Sequence, residues 1–436
     1  MNDFYNRAIS LALEHTSSAR TWRPAAGQNR LSESNFQWDM YCGRQMQYIP
    51  RLPGESTTEF ARRPHKQFLN VTRVIVDILG QLYRRPVKRE LHGSDRLTER
   101  IRRMWQANAM DRLMLTTDRM ARLHGVAAIR VSYQNDEVNY WPWPAHRIDV
   151  VPDPQRPDQP LAVIALPAGD AGVAQVWTKD RYVEVANGQI VSEQTHDIGK
   201  IPFVFVHDRL PVDGFWVEGR GLSVAHANAE FNAKLSELGF TVAMQGFGVM
   251  EIVNPDPSRE IAIGPGRAIR FNVSGNEPFG VNFKSPNAPI NELISDLEFL
   301  LRTLLKTQRI PESVLSVHSG GNVSGASIVA QQTPVLEDRT ERQAVFRAFE
   351  QQLLDTSTAV LAAHEGTTGK AELQLDFPEP ELAQSATERM NTDDWRIQQG
   401  MTTPAEIMQR DNPDAFKDQS AAEQQRQTNL TKGEPQ

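Results

Sequence analysis

"NAPINELISDLEFLLRTLLKTQ", Asn287 to Gln308, is the stretch whose reading decides the fold. Ile290, Leu293, Ile294, Leu297, Leu301, Leu304 and Leu305 recur at helical spacing and form one apolar stripe. Glu292 and Asp296 lie early, Arg302 and Lys306 late, which complements the helix dipole. At about 1.5 Å per residue the helix spans ~30 Å. Such a helix is not stable alone in water, so something must cover the stripe.

A second helix, Leu222–Met244, precedes it. Between the two, residues 245–287 read as strand and turn, with "IGPGR" as one tight reversal. After the opening helix comes "SVHSGGNVSGASIVAQ", Ser316 to Gln331, and then a long helical region, Ala326–His364, kinked or restarted at Pro334. The strand "AELQLDF" follows. The tail holds one well-marked helix, "TTPAEIMQRD", with Thr403 as N-cap, Pro404 first and Glu406 closing a capping box. Beyond Asp418 the chain is polar, has no apolar stripe and reads as a disordered end.

Upstream, residues 2–18 and the patch "SESNFQWDMYCGR" read as helices. "YIPRLPGESTTEFARRP" reads as loop, and Lys66–Arg84 as a helix ended by Pro86. Residues 94–124 form a helical region bent near Ala107–Met110. The period then changes to that of strands over 125–207, with a hairpin turning at "QNDE" and another at Asn187-Gly188. Helices thus frame a β-rich module, an α+β layout.

Composition narrows the function. Lys and Arg number 47 against 54 Asp and Glu, a net charge of −7, so the chain lacks the basic excess of a protein that grips DNA. The 436 residues suffice for two or three compact units. Cys42 is the sole cysteine, which excludes an intrachain disulfide and fits a reducing compartment. The N-terminus has no basic region followed by an apolar run, and no apolar stretch is long enough to span a membrane.

The glycine-rich stretch raises a chemical question. A phosphate loop needs a lysine after its last glycine; "GGNVSGAS" has none, and a helix rather than a strand precedes it. A serine on a G-x-S-x-G elbow is absent, and Ser324 and Ser327 lie where helices are ordinarily capped. The histidines are scattered, with no H-E-x-x-H. "EGRGLS" has G-x-G without a βαβ context. The arginines of 94–124 alternate with Asp and Glu, as on a solvated face. We therefore expect no catalytic residues, no cofactor and no metal, and a structural role.

The order of elements resembles tailed-bacteriophage portal proteins. The likeness rests on "FLNVTRVIVDILGQLYRRPVKREL", on "ARLHGVAAIRVSYQNDEVNYWPWPAHRIDVVPDP" and on "GRGLSVAHANAEFNAKLSELGF". It implies a portal-like α+β fold with wing, stem, clip and a short helical crown in an oligomeric ring. By position, 1–220 would be N-terminal helices and β-rich wing, 221–244 the first stem helix and 245–288 the clip. Residues 289–309 would be the second stem helix, 310–324 a tunnel loop, 325–382 the long wing helix and returning strand, and 383–436 the crown-like tail. The resemblance implies a dodecamer with a channel for packaging and ejecting double-stranded DNA, bound weakly and without sequence preference. It also implies docking of the terminase large subunit and a head–tail adaptor, contact with major capsid and scaffolding proteins, assembly in the host cytoplasm and residence in the virion. Ser316, His318, Ser319, Gly320, Gly321 and Asn322 would face DNA; Arg267 and Arg270 would meet clip partners; Leu293, Leu297, Leu301 and Leu304 would form the stem interface between copies. A soluble phage-type enzyme with a dispersed active site, and a non-ring head-assembly adaptor, are the alternatives.

Overall fold

The computed structural model describes residues 2–16, 25–52, 54–63, 66–167, 172–247, 249–253, 280–284, 289–311, 325–367, 369–379, 386–412, 415–416 and 418–432. In chain order its elements are α1 (Asn2–Thr16), α2 (Ala25–Cys42), α3 (Thr57–Arg62), α4 (Val71–Leu79), β1 (Lys88–His92), α5 (Asp95–Ala107), α6 (Met110–His124), β2 (Val126–Gln134) and β3 (Glu137–Trp143). Then come β4 (Ile148–Pro152), β5 (Pro160–Ala165), β6 (Val173–Trp177), β7 (Arg181–Ala186), β8 (Gln189–Thr195), β9 (Phe203–His207), α7 (Arg220–Phe247), β10 (Val249–Val253) and β11 (Gly280–Lys284). The chain continues with α8 (Ile290–Thr307), α9 (Gly325–Glu365), β12 (Glu372–Asp376), α10 (Ala386–Gln398), α11 (Pro404–Asp411) and α12 (Gln419–Lys432).

Two compact units divide the chain: residues 1–315 with 334–378, and residues 316–333 with 379–436. In the first, an antiparallel sheet in the order β3-β2-β9 is buried on both faces. Ile129, Val131, Val204 and Val206 pack with Met104, Met114, Phe346 and Phe349 of α5, α6 and α9. On the other face Val126, Ala128 and Phe203 meet Ile148, Val150 and Val163 of the sheet β4-β5-β6-β7-β8. Burial on both sides explains why "GVAAIRV" is nearly continuous in apolar residues. The far face of the five-stranded sheet is covered by Ala8, Ile9 and Ala12 of α1. β1 pairs with β12, and β10 with β11, each antiparallel.

Local chemistry sets the turns. The β2–β3 hairpin turns at Asn135 and Asp136, both with positive φ, and the β7–β8 hairpin at Asn187 and Gly188, also both positive. The bend expected near Ala107–Met110 is a break between α5 and α6, with Ala109 left-handed at φ 46. Gly125 ends α6 at φ 84. There the chain at Gly219 and Gly221, entering α7, passes so close that a Cβ on Gly219 would stand 2.3 Å from the Gly125 nitrogen, and one on Gly221 2.4 Å from the Leu123 oxygen. The G-x-G of "EGRGLS" is thus a seam where two backbones touch.

Three expectations are corrected. The helix over 66–84 is only α4, because the amides of Gln67 and Leu69 donate to α7 side chains instead of to a helical turn. The segment read as loop contains α3, started by a capping box of Ser56 and Glu59. The end of the tail, expected to be disordered, forms α12: Asp418 Oδ1 accepts from the Ala421 amide, and Ala422 is fully buried. One small apolar contact and a cap suffice where no stripe is visible. The capping box of Thr403 and Glu406 on α11 is present as expected.

Candidate functional site

α7 and α8 run antiparallel, since Gln308 reaches back to Ser223 while Lys234 Nζ contacts Asp296 at 2.6 Å. The β10–β11 ladder lies between them in the chain. At the base, Leu304, Leu305 and Ile310 pack with Val224 of α7 and Ile75 and Leu79 of α4. Burial then falls away. On α7 the last fully covered position is Ser236, and on α8 residues beyond Leu297 towards the N-terminus are half-buried or exposed. Phe299 is 66% exposed, Val242 47% and Ile294 41%. The pair is rooted in the body and projects from it.

A polar row roots α7. Asn228, Asn232 and Ser236 recur every four residues and face the extended segment before α4. Asn228 Oδ1 accepts from the Thr72 amide at 3.0 Å and from Gln45 Nε2 at 3.2 Å, while its Nδ2 donates to the Leu69 carbonyl at 2.9 Å. Asn232 Oδ1 accepts from the Leu69 amide and its Nδ2 donates to Gln45 Oε1. Ser236 Oγ accepts from the Gln67 amide and donates to the Gln67 carbonyl. The helix face serves this segment as a sheet neighbour would, and every polar atom of the row is satisfied.

Behind the base lies a buried charge node. Arg122 of α6 contacts Asp208 at 3.2 Å and also Asp338 of α9. Arg342 of α9 contacts Asp118 and Asp208. Arg220, the first residue of α7, contacts Asp338 at 2.6 Å. Burial, then the nearby Arg342, push the Arg122 pKa down to about 9, so it stays charged at neutral pH. A second pair joins Arg89 of β1 to Glu350 of α9 at 2.8 Å, with Tyr83 donating to the same carboxylate at 2.7 Å.

The expected stem-interface residues divide. Leu297 and Leu304 are buried within the chain, at 7% and 8% exposure, so its own helices cover that part of the stripe. Leu304 takes its apolar partners from α7 and α4, namely Val224, Ile75 and Leu79. Leu293 and Leu301 are half-buried. On α8 the apolar side chains left open are Ile294, a member of the stripe, and Phe299, which the periodicity does not single out. Ser316, His318, Ser319, Gly320, Gly321 and Asn322, and Arg267 and Arg270, lie outside the described residues. Among the described residues no group of three or more His, Cys, Asp or Glu is placed to hold a metal ion, and no helix is long and apolar enough to cross a membrane.

No protein-family model and no curated protein matches the sequence. Solved structures give likenesses. A chain in the neck of a native gene transfer agent particle, computed with C12 symmetry, is 13% identical, over 92% of this chain and 97% of that one, with a TM-score of 0.45. A chain in the virion of a native gene transfer agent particle is 12% identical, over 92% and 97%, with a TM-score of 0.42. An HK97 family phage portal protein from Corynebacterium diphtheriae is 11% identical, over 74% of this chain and 94% of that one, with a TM-score of 0.34.

Proposed function

We propose that this chain is a portal protein: the protomer of a closed, dodecameric ring with a channel for double-stranded DNA, structural rather than catalytic. The supporting observation is the projecting helix pair. α7 and α8 are fixed at their base by Asn228, Asn232 and the apolar cluster around Leu304, yet carry Ile294, Phe299 and Val242 into solvent. Exposed apolar side chains on a rigidly held pair suit a head-to-tail contact repeated around a ring. The short β10–β11 ladder lies between the two helices in the chain, where a portal has its clip. The net charge of −7 suits a conduit, because each neutralised phosphate would add affinity and hence drag.

On this reading the residues after α8, Ser316 to Asn322, touch passing DNA without holding it, and Arg267 and Arg270 meet the terminase large subunit or a head–tail adaptor. Major capsid and scaffolding proteins contact the outer surface, and the ring assembles in the host cytoplasm and stays in the virion. Mass photometry with negative-stain imaging tests the proposal. Particles many times the 49.1 kDa chain mass, with a central channel, are expected. A stable monomer at micromolar concentration overturns it. Deleting residues 319–325 is expected to leave assembly intact and impair DNA packaging; failure to assemble overturns the role given to that stretch.

A further inference from the structure

The sheet β3-β2-β9 has two edges, and they are treated differently. At β3, the Asn108 side chain closes the edge: its Nδ2 donates to the Val138 carbonyl and its Oδ1 accepts from the Tyr140 amide, both at 2.8 Å. Among the described residues nothing comparable serves β9. Its register fixes which groups are free. Val131 donates to the Pro202 carbonyl and Asp208 donates to the Gly125 carbonyl, so Val204 and Val206 turn their backbone towards β2. Phe203, Phe205 and His207 turn theirs outward, where no strand pairs among the described residues. The sequence "FVFVH" has no lysine, proline or bulge, the devices that usually blunt an exposed edge.

Beyond this edge lies a cleft of about 1490 Å³. One wall is α9, with Val345, Ala348 and Phe349; the other is the end of the five-stranded sheet, with Pro160, Leu161 and Thr178. These are the same two layers that enclose β2 and β9. Residues of both layers line the cleft beside the last strand. The lining cations Arg156, Lys179, Arg181, Lys200 and Arg209 outnumber the carboxylates of Asp158, Asp180 and Asp355. Lys179, Lys200 and Arg209 have no carboxylate partner among the described residues, whereas Asp158 is already paired with Arg156.

We propose that the β9 edge accepts a fourth strand from a partner protein: an extended segment, apolar in the middle and carrying carboxylates at its ends. The backbone of Phe203, Phe205 and His207 bonds the incoming strand, the two layers bury its side chains, and the lysines at the rim select its charge. β9 is five residues long, so the bound core is about five to seven residues. This proposal stands apart from ring formation and needs only one copy of the chain.

The test uses a fluorescein-labelled nine-residue peptide, a five-residue valine–threonine alternation with two glutamates at each end. Fluorescence anisotropy with the full chain is expected to saturate in the micromolar range. A lysine-ended peptide of the same core is expected to bind at least tenfold more weakly, and an N-methylated core not at all. The double variant K179E/K200E should reverse the charge preference while the chain assembles as before. Hydrogen exchange adds an independent reading: the amides of Phe203, Phe205 and His207 should exchange fast alone and slowly with peptide. No saturable binding, equal binding of the N-methylated core, or amides already protected by a second copy in the unliganded assembly overturns the proposal.

Discussion

Replacing Gly125 by alanine is expected to be among the most damaging single-atom changes in the first unit. Two separate costs add. At φ 84 the backbone is left-handed, which costs a residue with a Cβ about 1–2 kcal/mol. The new Cβ would also stand 2.0 Å from the Val217 oxygen, 2.6 Å from the Gly219 nitrogen and 2.8 Å from the Val217 carbonyl carbon. All three are backbone atoms, so no side chain can swing away. The passing segment cannot retreat freely either, because Gly219 and Gly221 lie against Leu123 and His124 at the end of α6. Overpacking of this kind adds about 1–3 kcal/mol, for a total of roughly 2–5 kcal/mol. Gly54 is the control: its φ is 81 but nothing lies within 4 Å, so Gly54→Ala should lose only the conformational part, about 1–2 kcal/mol. Urea unfolding followed by tryptophan fluorescence compares the two midpoints at unchanged slope. Equal losses in the two variants would refute the close-approach argument.

Three further outcomes follow from the same physical account. Leu297→Asp is expected to unfold the base of the helix pair in a single chain, lowering the melting temperature, because it puts a charge into a buried site; Phe299→Asp should leave melting unchanged and reduce assembly, and the reverse pattern in calorimetry and mass photometry would exchange their roles. Asn228→Ala strips the Thr72 amide, the Leu69 carbonyl and Gln45 of a buried partner and should cost about 2–3 kcal/mol in urea, with early exchange of the Thr72 amide; unchanged exchange would mean the polar row does not anchor α7. Stability should also fall in acid. Burial, then Arg147, push the His146 pKa down to about 4 from 6.5, and burial with His146 holds His124 well below its usual value. The unfolded chain therefore binds more protons between those values, and stability present at neutral pH is lost as pH falls through that window. A flat urea midpoint from pH 6.5 to pH 4 would contradict this.

Much of the layout is legible in the sequence, and the departures from it share a cause. Helices α7, α8 and α9 and the hairpin β2–β3 announce themselves through period, because their apolar faces are long. The fate of the Leu297 stripe was not readable, since a stripe states that cover is needed and not which helix supplies it. Lys66 to Asn70 has helical spacing, yet its backbone is taken by Asn228, Asn232 and Ser236, residues about 160 positions away. The capping box at Ser56 was a legible signal, overshadowed by the surrounding prolines. The charge node was invisible for a similar reason: Asp118, Asp208 and Asp338 are unremarkable singly and become a unit only when α6, the end of β9 and α9 meet.

That node has an evolutionary consequence. Arg122, Arg220 and Arg342 face Asp118, Asp208 and Asp338, and the two sets balance in number. Losing any one member leaves an odd buried charge, a defect of about 3–5 kcal/mol. Replacing a whole set with apolar residues of matching volume need not be harmful, but it requires several simultaneous changes. Single-step drift is therefore blocked at each of the six positions, while the surfaces around them remain free to diverge. Related chains should keep these arginines and aspartates together or lack them together, and intermediates with an unmatched member should be rare.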